Sequence, residues 1–336
     1  MAFANAMAAP ASDYLAGKRR LPYNRPPLSK ALWKGDSAGT IWRKTAAQQT
    51  AAQQVEMHLG RVIKELVPEQ KQVIDDQGNV FTYGKLLLAT GGRPRRFPFG
   101  NDRIIYYRTL ADYRRLRALT ETGEQFAVIG GGFIGSEIAA ALALNGKQVA
   151  LIFPGKEIGE RLFPRALAQF VSNVYRDKGV ELLPGEKVVA WESRGDQNLV
   201  KTGSGREIAV DGVVAGIGLE PNIELAQSAG IKTEKEIVVD EFLRSSDPDI
   251  YAAGDVAEFY NPALEKRLRV EHEDKPTRWD GWRGATWRAG LSLMIICLSF
   301  TPTCSIWDTR RWAKSMRGWR HLPTGSGLTK KASSTI

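Results

Sequence analysis

Apolar runs that end at or near glycines recur along this chain. Residues 86–89, 126–129 and 213–215 are such runs, and each predicts a buried strand that leads into a glycine turn. Helical spacing of apolar positions predicts helices over 109–119, 138–144 and 167–178. Apolar or alternating stretches predict further strands over 148–153, 187–191, 199–202, 207–210, 237–240 and 250–256. This alternation of strands and helices predicts a doubly wound α/β fold.

Other stretches predict turns and loops. Residues 71–83 have the pattern of a hairpin with its turn at Asp76-Gln77-Gly78-Asn79. Residues 21–30 contain three prolines, which predict an extended loop without helix. Residues 45–54 repeat Thr-Ala-Ala-Gln-Gln twice, and this repeat predicts a surface insertion without chemistry of its own.

The strongest chemical signal is Gly130-x-Gly132-x-x-Gly135, between the strand at 126–129 and the helix that follows. This order is the dinucleotide-binding fingerprint. Gly130 permits the tight turn, Gly132 lets the backbone approach a pyrophosphate, and Gly135 lets helix and strand pack closely. The helix N-terminus then offers N–H groups to the anion. A glycine turn without a ligand is the alternative that the context disfavours.

Composition divides the chain near residue 275. The 336 residues suggest about two domains, and the formal net charge is +10. Residues 276–336 hold ten Lys and Arg against Asp280 and Asp308, so residues 1–275 carry only +2. The same tail holds six of the nine Trp and both Cys. A nearly neutral body with an aperiodic basic tail argues against nucleic-acid binding.

Cysteine usage and hydropathy limit the location and the chemistry. Cys297 and Cys304 have neither the spacing of a Cys-x-x-Cys redox pair nor that of a zinc site, so we expect no dithiol centre and no metal. The apolar run 291–300 is too short to span a bilayer, and residues 1–17 lack the pattern of a signal peptide. We expect a cytoplasmic protein, with a mitochondrial location as the alternative.

Six motifs in order resemble the FAD-dependent pyridine-nucleotide oxidoreductases, in the ferredoxin-reductase-like branch that includes apoptosis-inducing factor. They lie at residues 25–30, 88–92, 130–137, 216–221, 250–255 and 269–272, and the resemblance covers about 21–274. It implies a three-layer fold with two Rossmann-like halves, one for FAD and one for NAD(P)H. Hydride then passes from NAD(P)H to the flavin, and electrons pass to a ferredoxin or another one-electron acceptor. In the intact family a homodimer is also expected.

The resemblance also implies roles for individual residues. Lys30 is expected near flavin N5, with Glu137 paired to it and in contact with the nicotinamide; a solvated loop lysine is the alternative. Phe133 is expected to stack near the nicotinamide, with a core aromatic as the alternative. Asp255 is expected to accept hydrogen bonds from hydroxyls of the flavin side chain, with a helix N-cap as the alternative. His272 is expected to lie near the nicotinamide, with a structural histidine as the alternative. The other expected cofactor-binding residues are Arg25, Pro26, Thr90, Gly91, Arg93, Gly130, Gly132, Ile134, Gly135, Gly218, Gly254 and Glu271.

The chain departs from the family at both ends. The family's first strand and its own Gly-x-Gly-x-x-Gly for FAD are not found before Leu21. We therefore expect an atypical leader at 1–20, an incomplete FAD-binding domain at 21–110 and 238–275, and an NAD(P)-binding domain at 111–237. FAD binding is expected to be weak and turnover poor.

The family likeness stops at Asp274, where the composition changes. When residues 276–336 are considered in a reading frame shifted by one base, they become compatible with the family's missing C-terminal interface domain. We therefore interpret 276–336 as an out-of-frame, disordered basic tail.

The sequence leaves two alternatives open for the pyridine nucleotide, NADH and NADPH, and two for the function. The acidic residue that binds the ribose of NAD ordinarily follows the second strand, and here Phe153-Pro154-Gly155 stands in that place. Lys156 and Arg161 are near enough to accommodate a 2′-phosphate, whereas the family likeness favours NADH. An NAD(H)-binding or redox-sensing module without turnover is the alternative to a reductase.

Overall fold

The computed structural model describes residues 12–42, 55–100, 102–261, 264–270 and 293–297. The repeat at 45–54 lies outside these residues, as do Glu271 and His272. The helices are α1 (Leu110–Leu119), α2 (Phe133–Leu144), α3 (Arg165–Asp177) and α4 (Glu224–Ser228). The strands are β1 (Ser12–Ala16), β2 (Val55–Leu59), β3 (Ile63–Val67), β4 (Gln72–Asp75), β5 (Val80–Thr82), β6 (Lys85–Leu88), β7 (Gly92–Pro94), β8 (Ile104–Tyr106), β9 (Gln125–Ile129), β10 (Gln148–Phe153), β11 (Glu181–Pro184), β12 (Val188–Arg194), β13 (Gln197–Thr202), β14 (Glu207–Val210), β15 (Gly212–Ala215), β16 (Leu219–Pro221), β17 (Ile237–Val239), β18 (Ile250–Ala252), β19 (Ala257–Asn261), β20 (Lys266–Leu268) and β21 (Leu293–Cys297).

A parallel five-stranded sheet forms the centre of the first half, in the order β11-β10-β9-β15-β8. Its strands are apolar on both faces because helices and the antiparallel sheet β12-β13-β14 cover them. Helix α1 begins at a reciprocal cap, in which Thr109 and Asp112 each bond the other's backbone N–H. The predicted doubly wound arrangement is confirmed here, and β10 has the predicted bounds.

A second parallel sheet, in the order β18-β6-β21-β1-β2, forms the centre of the other half. The small antiparallel sheet β3-β4-β5 contains the predicted hairpin. The mixed sheet β17-β19-β20 and the short pair β7-β16 complete the fold.

Two expectations about the chain ends need correction. Ser12–Ala16, within the expected atypical leader 1–20, is a strand inside the second sheet. Leu293–Cys297, within the tail 276–336 expected to be disordered, is the strand between β1 and β6. Partners on both sides satisfy the backbone groups of an apolar segment, and this outweighs its lack of strand periodicity. The other residues of the tail lie outside the described residues.

The domain boundaries also differ from those expected. Strand β8 pairs with β15, so the nucleotide half begins near Ile104 rather than at residue 111. Helix α4 packs its Leu225 and Ala226 into the apolar core of the second half, although the expected range 111–237 placed it in the first. Sequence alone did not separate these segments because chain crossings between the halves carry no distinctive composition.

The proline-containing loop is more tightly wound than predicted. Residues 21–30 were expected to be extended, but Pro26–Leu28 forms a short 3₁₀ helix. Prolines occupy its first positions, where no helical N–H is needed, so they favour this turn rather than exclude it. The indole N–H of Trp33 and the hydroxyl of Tyr107 both donate to the carbonyl of Leu28, at 2.8 and 2.5 Å. These bonds fix the loop against the first half.

Candidate functional site

The glycine turn between β9 and α2 is closed on one side and open on the other. Gly130 has φ +118°, and a Cβ on it would lie 2.3 Å from the carbonyl oxygen of Gly216. A Cβ on Gly135 would lie 1.8 Å from the carbonyl oxygen of Gly130. Gly132, the N-cap of α2, has nothing within 4 Å of the equivalent point. The backbone at Gly132 therefore borders open space, and a phosphate can approach the start of α2 there.

The first two residues of α2 are exposed apolar side chains. Phe133 is 56% exposed and Ile134 is 40% exposed. The alternative of a core aromatic is therefore wrong for Phe133. An exposed ring beside a phosphate-sized opening is available to stack on a flat ligand, and its contact with nicotinamide stays a prediction.

Lys30 and Glu137 join the proline-containing loop to α2. The Lys30 Nζ lies 3.3 Å from Glu137 Oε1, and the Ser29 hydroxyl donates to Glu137 Oε2 at 2.5 Å. The predicted pair is thus present, although Lys30 is half exposed. Sequence analysis missed Ser29, which engages the second carboxylate oxygen and restricts how Glu137 can turn.

Cations gather at the other end of the same loop. Arg108 Nη2 lies 3.1 Å from Asp255 Oδ2, and both side chains are largely buried. Burial and the charges of Arg25 and Arg108 lower the pKa of Lys18 to about 8. Burial, followed by the charge of Arg108, also lowers the pKa of Arg25. We call Lys18, Arg25 and Arg108 the cation cluster.

The cation cluster carries more positive charge than its neighbours balance. The carboxylates that act on Lys18 and Arg25 are those of Asp255 and Asp112. The Nε of Arg108 is buried and has no hydrogen-bond partner among the described residues. Sequence analysis missed Lys18 and Arg108, because neither lies in a recognisable phosphate-binding motif. Their arrangement fits an anionic group placed between them.

The residues present fit the anionic part of FAD, with one important difference. The cation cluster and Asp255 supply donors and an acceptor for a diphosphate and its neighbouring hydroxyls. However, the only Gly-x-Gly-x-x-Gly in this sequence is the one at 130–135. Within the described residues, the side chains of the cation cluster would hold the diphosphate. This agrees with the expectation of weak FAD binding, which stays a prediction.

The other expected cofactor-binding residues lie mainly where the chain crosses between the halves. The Thr90 hydroxyl donates to the Asn222 carbonyl at 2.7 Å, and the Asn222 N–H donates to the Gly91 carbonyl at 2.9 Å. Arg93 forms ion pairs with Glu220, at 2.7 Å, and with Glu224. These contacts occupy Arg93 at the surface and give it a structural role. Pro26 starts the 3₁₀ helix, whereas Gly218 and Gly254 adopt positive φ of 105° and 81°.

Asp13, Glu56 and His58 place three metal-type ligand atoms within 4.8 Å of one another on β1 and β2. The His58 Nε2 lies 3.1 Å from Asp13 Oδ1, and a hydrogen bond is sufficient to explain this group. Among the described residues, no helix combines the length and apolar character needed to cross a membrane.

Fold and site together define an α/β dinucleotide-binding protein with two nucleotide-binding halves. Residues 1–285 match the family model described as pyridine nucleotide-disulphide oxidoreductase, and the chain belongs to this family. Homologues in it are FAD-containing, NAD(P)H-dependent reductases.

The ferredoxin–NAD(+) reductase component of the anthranilate 1,2-dioxygenase system from Burkholderia cepacia is 37% identical over 262 residues, which are 76% of this chain and 64% of the relative. The mitochondrial apoptosis-inducing factor 1 of Dictyostelium discoideum is 30% identical and matches 76% of this chain and 53% of the relative. The reductase in the covalent putidaredoxin reductase–putidaredoxin complex superposes with a TM-score of 0.74 at 32% identity, covering 78% of this chain and 65% of that one. The chain thus spans less than two thirds of the length of these relatives.

Proposed function

We propose that this protein is an NAD(P)H-dependent flavin reductase that passes electrons to a ferredoxin-type acceptor. The Lys30–Glu137 ion pair carries the proposal. It connects the loop beside the cation cluster to the helix that begins at the open glycine turn. This one pair therefore lies between the position expected for the flavin and the position expected for the nicotinamide. The names of the relatives, which include a ferredoxin–NAD(+) reductase, support the acceptor class.

Some residues of the site bind the cofactors, and others orient the groups that react. The α2 N-terminus at Gly132 binds the nucleotide pyrophosphate, and Phe133 covers the nicotinamide end. The cation cluster and Asp255 hold the FAD diphosphate and side chain. When bound, FAD supplies the hydride acceptor and the one-electron donor. The Lys30 ammonium would supply a positive charge beside the flavin, and Glu137, held by Ser29, would keep that ammonium directed towards the site.

The test uses the full chain with added FAD and ferricyanide as the electron acceptor. We expect oxidation of NADH or NADPH that depends on FAD and falls sharply in Gly132→Val. Putidaredoxin or another [2Fe–2S] ferredoxin should replace ferricyanide as acceptor. FAD binding with no oxidation of either nucleotide would contradict a reductase.

A nucleotide-binding module without turnover is the second candidate. The observation that favours it is that the given sequence contains one Gly-x-Gly-x-x-Gly, at 130–135. The absorbance spectrum of the purified protein separates the two functions. After FAD is added in excess and the unbound FAD is removed by gel filtration, a module would bind NAD(H) but would show no flavin absorbance. Light scattering on the same sample tests the homodimer expected of the family.

A further inference from the structure

The loop that follows β10 is fixed against the glycine turn. Phe153, the last residue of β10, lies beneath Gly131, where an added Cβ would come within 2.9 Å of its ring. The N–H of Gly159 donates to the carbonyl of Gly131 at 2.9 Å. We call residues 154–163 the β10 loop. In a dinucleotide-binding unit this position borders the adenosine ribose.

Two cations in the β10 loop have no counter-ion. Lys156 and Arg161 are both exposed, and neither side chain forms an ion pair or hydrogen bond within the described part of the chain. The residues directly after the strand are Pro154 and Gly155, where a carboxylate would otherwise accept from the ribose 2′-hydroxyl. The loop therefore offers positive charge where NAD-specific sites offer an acid.

The β10 loop also contains two acidic residues. Glu157 is mostly buried, and its Oε2 lies 4.0 Å from Arg176 Nη2 without a hydrogen-bond partner among the described residues. Glu160 accepts the backbone N–H of Lys156 at 2.8 Å and thereby stabilises the turn. Glu160 is the competing candidate for the ribose hydroxyl, because its other carboxylate oxygen accepts no hydrogen bond from the described residues. Because the two exposed cations outnumber the one exposed carboxylate, which is partly engaged, the loop still favours a nucleotide that carries a 2′-phosphate.

We propose that the nucleotide site prefers NADPH to NADH, with Lys156 and Arg161 binding the 2′-phosphate. This inference rests on the proposed nucleotide site at Gly132. It differs from the NADH preference that the family likeness favours. Arg161 supplies a planar, bidentate donor set, and Lys156 supplies a compact charge close to the strand end.

The test is titration calorimetry of the full chain with NADP⁺ and NAD⁺, which avoids turnover. We expect wild type to bind NADP⁺ more tightly. Lys156→Ala/Arg161→Ala should weaken NADP⁺ binding by about tenfold or more, the loss of at least one charge-assisted contact. NAD⁺ binding should not change. Lys187→Ala/Arg194→Ala removes the same charge from β12 and its preceding turn, and serves as the matched control.

The outcomes separate this inference from the proposed function. Tighter binding of NAD⁺, or equal NADP⁺ loss in both double variants, overturns the NADPH preference while nucleotide binding stands. If neither nucleotide binds folded wild type, the proposed function and the inference both fail. Circular dichroism establishes that each variant is folded. Lys156→Gln, which keeps the stem of the side chain, repeats the test with a smaller perturbation.

Discussion

Replacing Gly132 with valine should remove nucleotide binding while leaving the fold intact. Gly132 has φ −87° and ψ −168°, an extended conformation that valine adopts readily. The equivalent Cβ position has no neighbour within 4 Å, so the protein itself has room for the side chain. Loss of the glycine N-cap should cost at most about 1 kcal/mol.

The bound pyrophosphate has no such room, because valine methyl groups would fill the opening in front of the α2 N–H groups. Losing one charge-assisted hydrogen bond costs about 1.5–3 kcal/mol, which is roughly a 10- to 150-fold loss of affinity. We therefore expect the dissociation constants for NAD⁺ and NADP⁺ to rise by at least about tenfold, measured by calorimetry.

Gly203→Val is the matched control for this substitution. Gly203 lies in the turn between β13 and β14, and an added Cβ there has only ordinary contacts at 3.7 and 3.8 Å. Both variants should unfold in urea close to wild type, and Gly203→Val should bind nucleotide normally. Wild-type affinity in folded Gly132→Val would refute the assignment of the glycine turn as the nucleotide site.

Four further substitutions test other parts of the structure by urea unfolding. Gly135→Ala should lower the free energy of unfolding by about 1–3 kcal/mol or more, because its Cβ overlaps a turn carbonyl; wild-type stability would contradict that packing. Asp255→Asn should cost about 3–5 kcal/mol, since it leaves Arg108 buried without its counter-ion, and a negligible change would show that the pair is solvated. Lys18 has a lowered pKa of about 8, so its folded form binds fewer protons than the unfolded form between pH 8 and its ordinary value of 10.5. Stability should therefore rise with pH across that window and stay at its constant, lower level below pH 8, and Lys18→Met should flatten the slope. Ile295→Pro should destabilise the second sheet, because proline cannot donate to a ladder with partners on both sides; no effect would mean that this segment lies outside the sheet.

Elements with strong local signals were predictable from sequence. The polar Gln148 and the breaker Pro154 enclose a wholly apolar run, so β10 could be placed at its observed bounds. The cap formed by Thr109 places the start of α1 in the same way. The glycine turn could be assigned because each of its glycines is needed for a separate steric reason. Gly130 and Gly135 avoid clashes within the chain, and Gly132 leaves room for a ligand.

Features that depend on distant partners were not predictable. Asp13 in β1 pairs with Glu56 and with Met294, and nothing in its short, partly polar segment indicates either partner. Arg108 and Asp255 are 147 positions apart, so their contact follows from the fold alone. Prolines at 26 and 27 predict an extended loop when their neighbours are not known, whereas in the fold they occupy the first positions of a short 3₁₀ helix.

The placement of β21 determines when the second sheet can be completed during synthesis. The strands of the first sheet lie between residues 104 and 184 and at 212–215, so they emerge from the ribosome well before Leu293. Until then, β1 and β6 each expose an unpaired edge, because the strand that joins them has not been made. Such edges favour pairing with other chains, and closing so long a loop is entropically slow. The nascent second half therefore keeps these edges open until β21 has been made and can pair with both strands.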